Sequence, residues 1–125
     1  MFNVNGNLIV IDFDSCHTSW FAADLASALL FRTWIGPDKE RQEVKDEAVL
    51  FLKGIIEGYQ ARCDLPPEWK PMLPYFLKLR EISLFQSFYR EVDVSHNKGD
   101  DLFCYLYDSI RLDKPFLEID IENLA

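Results

Sequence analysis

The chain is short of basic residues, of cysteine and of long apolar runs, and each shortage closes off a class of function. Its 13 lysines and arginines face 21 aspartates and glutamates, which leaves a formal charge of −8. That balance repels polyanions, so it argues against nucleic acid and anionic membrane as partners and gives cationic ligands a mild attraction. The three cysteines, Cys16, Cys63 and Cys104, are odd in number and far apart. Without a Cys-x-x-Cys spacing they do not read as zinc or redox chemistry, and reduced thiols are expected. No stretch stays apolar for the ~18 residues of a membrane helix, and residues 1–6 lack the basic start of a leader. A cytoplasmic chain that binds no membrane is expected. Internal repeats, linkers and low-complexity runs are missing too, so 125 residues read as a single domain.

Apolar side chains are plentiful. Hydrophobic residues make up 49% and aromatics 14%, ten of them Phe, which is ample filling for one core. Phe2 to Val4 and Leu8 to Phe13 flank Asn5-Gly6, a pair suited to a tight type I′ turn, and predict a β-hairpin over 2–13. The run Leu8-Ile9-Val10-Ile11 is continuously apolar, which predicts a second strand buried on both faces.

Three-to-four spacing then predicts helices over about 20–34, 39–62, 67–92 and 101–112. Gly36-Pro37, Pro66-Pro67, the polar stretch around Gly99, and Pro115 separate or end them. The helix from Trp69 is apolar all round, with Met72, Leu73, Tyr75, Phe76, Leu77, Leu79, Ile82, Leu84, Phe85, Phe88 and Tyr89, and is expected to be central and most buried. Phe116 to Ile121 alternates apolar with acidic and predicts an extended tail over 116–121. The fold class is mainly α with a short N-terminal hairpin.

The chemistry-bearing stretch is Ile9-Val10-Ile11-Asp12-Phe13-Asp14. Two carboxylates at the exit of an apolar strand hydrate poorly unless a cation or hydrogen-bond donors meet them. Mg²⁺ takes oxygen ligands, usually one or two carboxylates together with substrate phosphates. Asp12 and Asp14 read either as such ligands or as turn caps, a common use of Asp. His17 beside Cys16 lacks the further ligands that a transition metal needs. Trp20, Trp34 and Trp69 read as packing residues more readily than as a cation cage.

The run NLIVIDFDSCHTSWFAADLASALLF resembles the segment of aminoglycoside phosphotransferases and related small-molecule kinases, choline-kinase-like ones included, in which an apolar strand leads to Ile-Asp-Phe-Asp and later to Asp-Leu-Ala. FLKGIIEGYQARCDLPPEWKPMLPYFLKLREISLF and KPFLEIDIENL are similar to later parts of the same kinases, so the likeness covers nearly the whole chain. The resemblance implies the helical C-terminal lobe of a protein-kinase-like fold. It implies Asp12 as metal ligand, Asp14 as the second acidic position, and Asp24 as a buried brace for the catalytic loop. An intact relative is implied to use ATP and Mg²⁺ on a small hydroxylated, often cationic substrate, with Trp20, Glu43 and Glu47 as candidates for the acceptor pocket.

Phosphoryl transfer also needs a phosphate-covering loop, a Lys and a catalytic Asp. The family's His-Gly-Asp loop does not occur here, and neither His17 nor His96 is followed by Gly-Asp. No catalytic residue is therefore assigned, and a chain inactive alone is expected. Completion in trans by another chain and a non-enzymatic interaction module remain as alternatives. Surface that a missing lobe would cover predicts a homodimer through the hairpin region.

Overall fold

In the computed structural model, residues 2–9, 17–34, 41–91 and 101–124 are described, and the fold is mainly helical. Strand β1, Phe2–Val4, pairs antiparallel with β2, Asn7–Ile9, in the register Phe2 with Ile9 and Val4 with Asn7. Asn5 at φ 52° and Gly6 at φ 80° make the turn, and both lie in the left-handed region that a two-residue hairpin loop demands. Among the described residues the strands contact only each other. Ile9 is exposed in consequence, which corrects the expectation of burial on both faces. Its neighbours Val10 and Ile11, with Asp12, Asp14 and Cys16, lie outside the described residues.

Helix α1, Phe21–Trp34, buries Ala22, Leu25, Ala26, Leu29 and Leu30. These fall at i, i+3, i+4, i+7 and i+8, the inward stripe of an amphipathic helix, and the two alanines admit a close neighbour. Helix α2, Arg41–Gln60, contributes Ala48, Leu52 and Ile56. Helix α3, Trp69–Glu91, contributes Trp69, Leu73 and Leu77, a ridge of every fourth residue. α1 packs against both α2 and α3, so the most buried helix is α1.

That placement corrects the reading of α3 as the central helix. Tyr75, Leu79, Ile82 and Tyr89 all stand on its exposed side. All-round apolarity fits a helix enclosed by neighbours, but it equally fits one with neighbours on one side only. Here α1, α4 and residues 121–124 cover part of the circumference, and Tyr75, Leu79, Ile82 and Tyr89 stay exposed.

Helix α4, Asp101–Arg111, packs on α3 through fully buried Leu106. Its end is closed by the amide of Lys114 donating to Ser109 O at 2.9 Å and that of Asp113 donating to Ile110 O at 3.2 Å. Asp113, at φ 48°, takes the left-handed position of this closure. The tail then runs back over the helices, where Ile121 and Leu124 join the core of α1, α2 and α3. Phe116, Leu117 and Ile119 pack beside them. Lys45 Nζ on α2 fastens the tail from outside, 2.9 Å from Glu118 Oε2.

Candidate functional site

Between the start of α1 and the middle of α3 lies a groove of about 190 Å³. Its polar wall holds His17, Ser19, Asp24 and Ser27 on one side and Arg80 and Ser83 on the other, over an apolar floor that includes Ala23 and Phe76. Asp24 sits in the first turn of α1, where a carboxylate also complements the helix dipole. The serine hydroxyls are held by their own helices: Ser27 Oγ donates to Ala23 O at 2.9 Å and Ser83 Oγ to Leu79 O at 2.8 Å. Arg80 differs, for its Nε is buried and has no hydrogen-bond acceptor among the described residues. A guanidinium N–H in that state costs free energy until an acceptor arrives.

Asp24 is exposed, not buried as the resemblance implies. It stands at the groove mouth on the first turn of a helix whose buried stripe begins elsewhere, at Ala22 and Leu25. Its charge reaches Tyr59 at the end of α2. Burial pushes the Tyr59 phenol above its usual 10.0, and the Asp24 carboxylate and Cys63 push it further in the same direction. The Tyr59 ring meets Phe21 edge-on, with centroids 4.4 Å apart.

The acceptor-pocket candidates do not converge among the described residues. Trp20 is exposed just ahead of α1. Glu43 is exposed on α2, and Glu47 is paired at 3.0 Å with Arg32 in the last turn of α1. Trp20 and Arg32 are therefore separated by about 18 Å of helix at 1.5 Å per residue. Trp69 is a core residue, in line with the packing role read from sequence. Among the described residues no group of three or more His, Cys, Asp or Glu side chains is placed to hold a metal ion.

Sequence reasoning missed Glu81. It is fully buried and continues the α3 ridge of Trp69, Leu73 and Leu77 by one more step of four. Lys78 Nζ donates to its Oε2 at 2.6 Å, whereas Oε1 has no partner among the described residues. The same ammonium donates to Ser109 O at 3.5 Å and to Lys114 O, joining α3 to the end of α4. Counting in fours from Trp69 is the signal that could have found it.

Comparison with known proteins gives one informative likeness. The chain is 25% identical over 93 residues to amicoumacin kinase from Bacillus subtilis (strain 168). The match covers 73% of this chain and 27% of that kinase, so the chain spans about a quarter of the relative's length. No protein-family pattern matches, and neither does any solved structure. No helix is long and apolar enough to cross a membrane among the described residues.

Proposed function

We propose that the chain is the C-terminal helical part of a small-molecule kinase of the aminoglycoside phosphotransferase type, active only when joined to a nucleotide-binding lobe and catalytic loop. The observation that carries this reading is the likeness to a kinase over 93 residues, a match confined to 27% of that kinase. In this reading Asp12 and Asp14 hold Mg²⁺ with ATP, and the acceptor is a hydroxyl on a small, often cationic molecule. Bound there, the ion neutralises charge on the transferred phosphoryl group. Both aspartates lie outside the described residues, and no step is built on their geometry.

The groove supports a bracing role for Asp24. Its volume of about 190 Å³ falls below the about 300–1,000 Å³ of pockets that enclose whole ligands. It suits a few residues of another chain segment, and backbone carbonyls and amides are natural partners for the waiting Arg80 Nε and the exposed Asp24 carboxylate. A catalytic loop seated there brings its own backbone acceptors and donors. The acceptor molecule then binds elsewhere, and Trp20, Glu43 and Glu47 serve it only as separate contacts.

A non-enzymatic interaction module is the second reading, favoured by the exposed apolar side of α3. A chimera decides between the two. Amicoumacin kinase keeps its own sequence up to the matched region and takes this chain from there. The expected result is Mg²⁺-dependent phosphorylation of amicoumacin, reduced about 100-fold or more by Asp12→Asn and about 10-fold by Asp24→Asn. A folded chimera whose turnover is indifferent to Asp12→Asn sinks the kinase reading.

A further inference from the structure

Four large apolar side chains stand out along one line of α3: Tyr75 is 78% exposed, Leu79 54%, Ile82 43% and Tyr89 60%. With Gln86 they follow a four-three-four-three spacing, which is the seam by which one helix packs along another. From the exposed fractions the four offer on the order of 500 Å² of apolar surface, taking aromatics at 150–250 Å² each. Exposed Tyr107 of α4 adds to it, since the Phe85 ring lies 6.3 Å from that of Tyr89 and 6.2 Å from that of Tyr107. That area matches the largest patch of a typical monomer, about 300–600 Å², which is often functional.

We propose that this seam is the contact surface between two copies of the chain, with the α3 helices antiparallel about a two-fold axis at Ile82. Three observations favour a second copy over other occupants. Reversal about Ile82 sets Tyr75 against the partner's Tyr89 and Ile82 against the partner's Ile82, with Leu79 opposite the partner's half-buried Phe85 and Gln86 opposite the partner's Lys78, a pairing that an isologous interface admits. Its area also fits. A standard interface takes about 800 Å² from each side, of which about 56–65% is apolar, close to what this seam supplies. Charge permits it as well. The chain carries −8, yet none of the seam positions is charged, and α3 as a whole has four basic residues against two acidic ones. The surplus of negative charge thus lies off the contact, where self-repulsion is weakest.

The proposal stands on exposure, spacing and charge, independently of the kinase reading. It places the two-fold contact on α3 rather than on the hairpin. Sedimentation equilibrium of the full chain from about 5 to 200 µM is the first test, and a dimer is expected within that range. Ile82→Arg is expected to weaken dimerisation about 30-fold or more with the helical circular dichroism unchanged, because it buries a charge at the axis. Tyr89→Ser acts in the same direction and decides the matter should Ile82→Arg unfold. Ile9→Arg, on the hairpin, is expected to leave the dimer within about two-fold of wild type.

Orientation is read by cross-linking in a Cys16→Ser, Cys63→Ser, Cys104→Ser background. Mixed Tyr75→Cys and Tyr89→Cys chains are expected to form a disulfide that neither forms alone, and Ile82→Cys is expected to link to itself. A chain that is monomeric throughout the range overturns the proposal and leaves the seam to a different polypeptide. A dimer that tolerates both Ile82→Arg and Tyr89→Ser, or that Ile9→Arg disperses, overturns it equally.

Discussion

The ammonium of Lys78 lies 2.6 Å from Oε2 of Glu81, a carboxylate with no solvent exposure at all. The pair sits where an apolar ridge of α3 meets the end of α4, and its donors also reach the carbonyls of Ser109 and Lys114. Removing the cation leaves a buried charge with no counter-charge, which costs more than the pair contributes while intact.

Lys78→Met is therefore expected to lower unfolding free energy by about 3 kcal/mol, the lower end for a broken buried pair because Lys78 is itself partly exposed. Lys78→Met with Glu81→Leu is expected to recover much of that loss, since the orphan charge is gone. Urea unfolding of the three proteins measures both effects. A double variant no better than Lys78→Met alone contradicts this account of the network.

Tyr59 gives the chain an alkaline sensitivity. Its folded phenol is raised above 10.0 by burial and by Asp24 and Cys63, so the folded state holds that proton more tightly than the unfolded state does. The resulting stability is fully present below pH 10.0 and is lost as pH rises from there through the folded value. Tyr59→Phe is expected to flatten this part of the loss, and Asp24→Asn to reduce it by removing one repelling charge. Urea midpoints between about pH 9 and 12 test the sign. A steeper alkaline loss in Tyr59→Phe is the contrary result.

The tail matters more to stability than its irregular backbone implies. Ile121 and Leu124 are buried in the core of α1, α2 and α3. Each is worth about 1.5–3 kcal/mol of burial, against a total stability of about 5–15 kcal/mol for a typical domain. Truncation after Pro115 removes both, with partly buried Phe116, Leu117 and Ile119. It is expected to abolish cooperative thermal unfolding, whereas Leu124→Ala alone is expected to cost about 2–4 kcal/mol and leave a cooperative transition. Differential scanning calorimetry separates the two outcomes, and a cooperative endotherm in the truncated chain refutes the assigned role.

The mainly helical class was legible because Leu25 and Leu29, or Ala48, Leu52 and Ile56, repeat at the spacing that one buried face requires. Periodicity says which side chains are apolar, but it does not say what covers them. That is why the pattern of α3 points to a central helix although Tyr75 and Tyr89 face outward. Glu81 was hidden for a different reason. A charged residue is assigned to solvent by type, and only its register with Trp69, Leu73 and Leu77 places it inside. At the candidate site, Asp24 follows from the resemblance while Arg80 does not, since its significance lies in a donor left without an acceptor among the described residues. Asp12 and Asp14 lie outside the described residues.

The burial of Leu124 also fixes an order of events during synthesis. A ribosome delivers the helices first, and α1, α2 and α3 can meet while Ile121 and Leu124 are still within the exit tunnel. Until those two residues emerge, the nascent helices carry an unsealed apolar strip, and it is in that interval that the chain is most in need of a chaperone.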